Sequence, residues 1–299
     1  MTPLPAWTEA ERAALDAAPV TPNAVRAALA EAALHPSRRL GQNFLIDRNT
    51  VAVLLRAAGV AEGDEILEIG PGLGCLTAGL LGAGARVAAI EKDHRLAARL
   101  RTAFAPLIDS GRLELVEADA LDVDIAGMFA AGPWKWVANL PYVVGGRLLA
   151  AAGEWENPPE KIVVTIQKEV ADKLVARPGS DAYGLLGVLV SRVYAGRVVH
   201  AIPPTCFFPR PEVRSSVAVL ERRPEPLCDG AAAGTYRRLA RAAFSARRKT
   251  IAKALAGELG ANPAGTLAAA GIDPAARAEI LPPEAFARLA CISGANGTA

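Results

Sequence analysis

The chain has 299 residues, 33 Lys+Arg against 31 Asp+Glu, and a hydrophobic fraction of 52%. That length suits one large or two modest domains, and the composition excludes a disordered chain. No run of about 18 apolar residues occurs, so no membrane span is expected, and Met1–Glu9 lacks the basic-then-apolar order of a secretory signal. Cys75, Cys206, Cys228 and Cys291 lie far apart and make no metal-type or redox pair, so a cytoplasmic protein without a metal is expected.

The net charge of +2 hides an asymmetry: residues 205–299 carry a net +5 and residues 1–204 a net −3. The positive charge concentrates in Arg237, Arg238, Arg241, Arg247, Arg248, Lys249 and Lys253, with no acid between Tyr236 and Lys253. A basic C-terminal unit on a near-neutral one points to a polyanion partner. The alternative is a solvated helix face.

In chain order, residues 1–20 are rich in Pro and Ala and are expected as a loose N-terminal tail or a short helix. Thr21-Pro22-Asn23 is a helix start with Pro in the first turn, and the helix stops before Pro36. The segment Ser37–Asp47 sets Gly41, two amides and Phe44 ahead of a helix over Asn49–Ala58. It reads equally as a binding segment or as a loop pinned by Phe44 and Leu45.

Glu65–Thr77 is an apolar strand breaking into glycines and then a helix. Strands are predicted at Arg86–Glu91, Leu113–Glu117, Lys135–Ala138 and Lys161–Gln167. Helices are predicted at Leu76–Leu81, Arg95–Phe104, Arg147–Ala152 and Lys168–Arg177. Such alternation predicts an α/β fold whose mostly parallel sheet carries helices on both faces. Strands at Arg197–Ile202 and Ser215–Glu221 are close enough to pair antiparallel through a long loop. Leu227–Gly234 reads as a linker before broken helices. The expected domains are 21–224, an α/β unit, and 225–299, a small all-α unit.

Gly70-Pro-Gly72-Leu-Gly74 is not a dinucleotide fingerprint, because Cys75 stands where its third glycine belongs; there is no P-loop lysine either. The glycines still let a ligand approach the backbone. Glu68 precedes the turn and suits a cationic group or loop ordering. Glu91 ends the second strand, where a carboxylate accepts both hydroxyls of a ribose. Asp119 ends the third and suits an adenine amino group. Each acid taken alone reads first as a helix cap or a solvated loop residue. Together at successive strand ends they describe an adenosine with a charged amino-acid tail, S-adenosylmethionine.

Trp136-Val-Ala-Asn-Leu-Pro-Tyr142 is a strand ending in a rigid elbow, because Pro141 fixes its own φ and keeps Leu140 extended. The Asn139 oxygen and the Leu140 carbonyl can each accept one N–H of a planar amine such as adenine N6. These acceptors strengthen as charge grows on nitrogen. Tyr142 would stack one face of the base and an aromatic of Phe207-Phe208 the other.

Five ordered motifs between Ala24 and Leu289 then resemble one family: Leu40-Gly-Gln-Asn-Phe-Leu-Ile-Asp47, Glu68-Ile-Gly-Pro-Gly-Leu-Gly74, Asn139-Leu-Pro-Tyr142, Phe207-Phe-Pro-Arg-Pro-Glu-Val213 and Ala243-Phe-Ser-Ala-Arg-Arg-Lys-Thr250. The chain is similar to the small-subunit ribosomal RNA adenine N6,N6-dimethyltransferases, which share ancestry with the macrolide-resistance rRNA methylases. The resemblance implies that Gln42, Asn43 and Leu45 line the cofactor pocket beside Gly70, Gly72, Glu91, Asp119 and Asn139. It implies a Rossmann-like methyltransferase domain with a small helical domain that helps grip the RNA, and dimethylation of two adjacent adenosines near the 3′ end of small-subunit rRNA in an immature ribosomal subunit; a cytoplasmic monomer with no membrane partner is expected. The alternatives are a large-subunit methylase of macrolide-resistance type and a catalytically weakened assembly factor. Two departures stand out: Val143-Val144-Gly145-Gly146 replaces the family's usual polar continuation, and Glu212 and Arg214 stand where Lys and Asp are usual.

Overall fold

Thr8 and Glu11 cap one another at the start of the first helix: Thr8 accepts from the Glu11 N–H and Glu11 from the Thr8 N–H, two otherwise orphaned donors satisfied together. The computed structural model describes residues 7–37, 40–129, 132–246 and 248–295. Where a loose tail was one expectation, Glu9–Asp16 forms helix α1, with Ala14 and Ala18 buried. A buried ion pair pins this helix. Arg112, 2% exposed, donates to Glu11, 3% exposed, at 3.0 Å, and its guanidinium lies 4.1 Å from the Trp7 ring centre.

Helix α2 (Pro22–Glu31) is capped by Thr21 with Pro22 in its first turn, as expected. Strand β1 (Phe44–Leu45) leads to α3 (Arg48–Ala58), capped by Asp47 and stopped by Gly59 in the left-handed region. The alternating region follows: β2 (Glu65–Ile69), α4 (Cys75–Gly82), β3 (Arg86–Glu91), α5 (His94–Ala103), α6 (Ala105–Asp109), β4 (Leu113–Glu117), α7 (Ile125–Met128), β5 (Lys135–Asn139), α8 (Gly145–Ala152), β6 (Lys161–Gln167) and α9 (Lys168–Val175). Then come α10 (Leu185–Ser191), β7 (Tyr194–Ile202), β8 (Phe207–Phe208) and β9 (Ser215–Arg222). The remainder is helical: α11 (Gly230–Ser245), α12 (Ile251–Ala254), α13 (Ala256–Leu259), α14 (Pro263–Ala269) and α15 (Pro283–Ala295). Helices α6, α7 and α10 and the two-residue strands were not foreseen.

The main sheet runs β4-β3-β2-β5-β6-β9-β7. Strands β4 to β6 are parallel and β9 is antiparallel to β6, the expected mostly parallel sheet. The order reverses between β2 and β5. From β2 the chain moves outward through β3 and β4; it then returns to β5 on the other side. A crevice at the carboxyl ends of β2 and β5 is therefore built into the topology. Those two ends carry the glycine turn and the Asn139 elbow. Apart from Glu68, the buried positions of both strands are apolar, as a sheet covered on both faces requires.

The chain divides into two compact units, Met1–Ala171 with Val198–Glu221, and Asp172–Arg197 with Arg222–Ala299. The expected boundary at 224/225 assigned Asp172–Arg197 to the first unit, whereas this segment belongs with the C-terminal helices. Its side chains say why. The Tyr183 hydroxyl donates to the Leu281 carbonyl at 2.6 Å, and Tyr236 donates to the Val188 carbonyl at 2.7 Å. Tyr183, Phe244, Phe286 and Tyr236 pack ring against ring with centres 6.0–6.4 Å apart.

Candidate active site

Two adjoining pockets open at the crevice. The first is lined by Gly41–Leu45, Glu68, Gly70–Leu73, Cys75, Leu76, Glu91, Leu96 and Asn139–Pro141. The second is lined by Leu40, Gln42, Ile69, Gly70, Ile90–Lys92, Ala118–Ala120, Pro141, Val143 and Val144. They share Gln42, Gly70, Glu91 and Pro141. All eight residues expected around the cofactor (Gln42, Asn43, Leu45, Gly70, Gly72, Glu91, Asp119 and Asn139) are thus brought together.

Segment 40–45, ambiguous in sequence, is tied to the strand ends. Gln42 accepts from the Ser37 N–H at 2.8 Å and donates to Asp93 at 3.1 Å. Phe44 and Leu45 pair with Phe208 and Phe207. Gly41 has φ +65°, and a Cβ there would stand 3.1 Å from the Tyr142 nitrogen. At Gly72, with φ +60°, a Cβ would stand 2.9 Å from the Phe44 ring. Glycine is required at both positions for conformation and for space.

Glu91 is 6% exposed and accepts from Gly72 N–H at 3.0 Å and Asp93 N–H at 2.9 Å. Burial raises its pKa, and the two N–H bonds oppose the rise. A carboxylate has about four acceptor sites, so Glu91 retains capacity for two hydroxyls. Asp119 is held below the usual range, first by Lys92 and then by the Leu121 N–H. The Lys92 ammonium sits on one of its two oxygens. Glu68, 1% exposed, accepts from the Thr77 hydroxyl at 2.7 Å. Burial pushes its pKa up to about 8, aided by the neighbouring Glu91.

The elbow has a defined polarity. The Asn139 amide nitrogen donates to the Asn43 carbonyl at 3.0 Å, while its oxygen is buried without a partner among the described residues. Leu140 N–H donates to the Thr165 carbonyl at 3.1 Å. Leu140 and Pro141 line the first pocket. Tyr142 is half-buried, and its hydroxyl is 2.6 Å from that of Ser215.

Phe207 does not stand where the sequence placed it. It is 1% exposed and packed in the core cluster that contains Leu45, Leu54 and Val217. Pairing of β8 with β1 turns its ring inward, so it offers no open face to a base. Its half-buried neighbour Phe208 has the Arg26 guanidinium 5.3 Å from its ring centre.

On the basic cluster, Arg241, Arg248, Lys249 and Lys253 are exposed and Arg237 is half-buried. Arg238 faces an acid the linear sequence kept out of the cluster, Glu258 at 3.6 Å, and also donates to Thr235. Arg247 lies outside the described residues. Four further residues were missed in the sequence. Lys92 and Asp93 follow Glu91 directly, so a wider window around that strand end would have found them. Leu96 repeats on the α5 face packed against Leu73. Ser215 carried no local signal.

The family model for ribosomal RNA adenine dimethylase matches residues 35–293. The chain belongs to this family. It is 43% identical over 275 residues to the ribosomal RNA small subunit methyltransferase A of Rhodospirillum rubrum, covering 92% of this chain and 93% of that one. With the same-named protein of Cereibacter sphaeroides it shares 42% over 281 residues, 93% and 98% of the two chains. Among solved structures, a 23S rRNA methyltransferase, ErmE, superposes with a TM-score of 0.63 at 28% identity, covering 84% of this chain and 99% of that one. A dimethyladenosine transferase from Plasmodium falciparum shares the fold, with a TM-score of 0.67 at 21% identity over 82% and 95% of the chains. The protein is thus a dimethylase-family enzyme dependent on S-adenosylmethionine. The pocket suits that group: a backbone cradle only glycine permits and a buried carboxylate with spare acceptor sites.

Among the described residues no cluster of His, Cys, Asp and Glu suits a metal, and no helix is long and apolar enough to cross a membrane.

Proposed function

We propose that the enzyme dimethylates N6 of two adjacent adenosines near the 3′ end of small-subunit rRNA, in an incompletely assembled subunit. The observation that carries the reading is the Asn139 oxygen at the end of β5, buried without a partner among the described residues. Its nitrogen is committed to Asn43, so only an acceptor is left for the substrate, and an exocyclic amine supplies the matching donor. The Leu140 carbonyl takes the second N–H.

S-adenosylmethionine, when bound, supplies the methyl group. Glu91 holds its ribose hydroxyls, Asp119 its adenine amino group, and Gly70 and Gly72 give backbone access. Gln42, Asn43 and Leu45 close the pocket from the N-terminal side. Asn139 and Leu140 orient the adenine nitrogen so that its lone pair faces the methyl, and they bind more strongly as positive charge develops there. No strong base is required, because the methylated nitrogen's proton is acidic. Tyr142 stacks one face of the extruded base, an interaction worth about 1–3 kcal/mol. Arg241, Arg248, Lys249 and Lys253 meet the phosphate backbone.

Immature small subunits incubated with the enzyme and labelled cofactor are expected to acquire dimethyladenosine, mapped by mass spectrometry. Label on large-subunit RNA instead would support the second reading, which the likeness to the 23S enzyme favours. Label on protein glutamine would sink both.

A further inference from the structure

The hydroxyls of Tyr142 and Ser215 meet although the two residues lie 73 apart in sequence. Tyr142 lies on the elbow just after β5, whereas Ser215 opens β9, the antiparallel strand on the far side of β6. Strand β6 is the ruler between them. Asn139 stands in register with Thr165, and Ser215 with Gln167, two residues further along. The Thr165 carbonyl holds the Leu140 N–H. The Lys168 N–H donates to the Arg214 carbonyl at 2.9 Å and so fixes the backbone immediately before Ser215. Ser215 is 1% exposed. Its hydroxyl is therefore a rigid point, set by the same strand that sets Leu140.

A phenylalanine would stack a base as well as a tyrosine does, so the Tyr142 hydroxyl needs another explanation. Burial raises its pKa, and the group stays a neutral hydroxyl at physiological pH. It is 2.6 Å from Ser215 Oγ, a short separation for two hydroxyls. A bond at the ring's edge stops the ring swinging and leaves its faces uncovered. With Phe207 buried, that ring cannot serve as a second wall for the base, and the orientation of the Tyr142 ring matters more.

We propose that Ser215 is a positioning residue: through its hydroxyl bond it holds the Tyr142 ring at the angle that presents adenine N6 to the Asn139 and Leu140 acceptors. This deepens the proposed reaction and rests on it. The demand is greater for the second methylation, because the amine then carries a methyl group and has only one N–H to orient it. Ring angle must do what the missing hydrogen bond did.

The test is a double-mutant cycle on immature small subunits, with kcat, KM and the mono- to dimethyladenosine ratio measured for Ser215→Ala, Tyr142→Phe and the pair. Misplacing a reacting group costs up to about a hundredfold. Here each single variant is expected to lower kcat about tenfold, a partial loss of that kind, with KM little changed and monomethyladenosine accumulating. The double variant should be no slower than either single one, since both remove the same bond. Ser215→Thr, which keeps the hydroxyl, should restore dimethylation; equal melting temperatures exclude a folding defect. Additive losses, or a Ser215→Ala enzyme with wild-type kcat and product ratio, would overturn the proposal alone. A wild-type enzyme that leaves adenine N6 unmethylated overturns the proposed reaction and this inference with it.

Discussion

The Asn139 side chain donates to the backbone carbonyl of Asn43, 3.0 Å away and 96 residues earlier in the chain. One amide thus performs two tasks. Its nitrogen anchors the N-terminal motif over the pocket, and its buried oxygen has no hydrogen-bond partner among the described residues. Asn139→Ala removes both. Loss of a preorganised group at a reacting centre costs about 10²–10³ in kcat, and a loss of that size is expected in single-turnover methyl transfer. Cofactor affinity, measured by calorimetry, should fall as well. A variant with unchanged single-turnover rate would remove Asn139 from the chemistry.

Gly41 governs how closely that motif approaches the elbow. Its φ of +65° and the 3.1 Å from a built Cβ to the Tyr142 nitrogen leave no room for a side chain. Gly41→Ala is expected to cost about 1–3 kcal/mol in strain, read as a lower denaturation midpoint and weaker cofactor binding. Unaltered binding would show that the loop can retreat at no cost to the pocket.

Glu68 makes stability depend on pH. Its pKa rises from 4.5 to about 8 on folding because the carboxyl is buried. The folded state therefore binds more protons than the unfolded state between these values, and stability falls as pH rises through that window, levelling off above about 8. A cationic ligand in the pocket favours the ionised form, so its affinity should rise over the same window, with proton release. Glu68→Gln should flatten the melting temperature of the ligand-free protein between pH 5 and about 8; an unaltered slope would assign it to another group.

Glu11 acts in the opposite sense. Hydrogen bonds from the Thr8 N–H and from Ser110, with the Thr8 hydroxyl and Arg112 adding to them, hold its pKa at about 2 against 4.5. Its stabilisation is complete above about 4.5 and is lost as pH falls toward 2. Glu11→Gln leaves the Arg112 guanidinium buried opposite a neutral group. Breaking such a pair costs about 3–5 kcal/mol, so chemical denaturation should show a large loss. A change under 1 kcal/mol, about the worth of a surface pair, would mean that Arg112 finds another route to water.

For the basic cluster, exchanging Arg241, Arg248 and Lys249 for glutamine should weaken RNA binding at low salt. It should also make the plot of log affinity against log salt shallower, by about 0.7–0.9 for each phosphate no longer neutralised. Arg238, already 3.6 Å from Glu258, should contribute less to that slope than Arg241. An unchanged slope would make the cluster a solvated helix face.

What could be read from sequence was what short stretches of chain decide alone. Alternating periods place β2–β6 and helices α4, α5, α8 and α9 within a residue or two. Pro141 stiffens the elbow, glycines with positive φ open the loop, and acids at strand ends fall where the topology puts a ligand. These are properties of backbone dihedrals and of neighbouring residues. Only the tertiary structure decided which distant side chains meet. It buried Phe207 against Leu45 by pairing β8 with β1, and it brought Glu258 to Arg238. It closed Glu11 on Arg112 across 101 residues, moved Asp172–Arg197 to the helical unit, and set Ser215 beside Tyr142. Sheet register and packing create such partners, and neither leaves a mark on the few residues either side of the groups that meet.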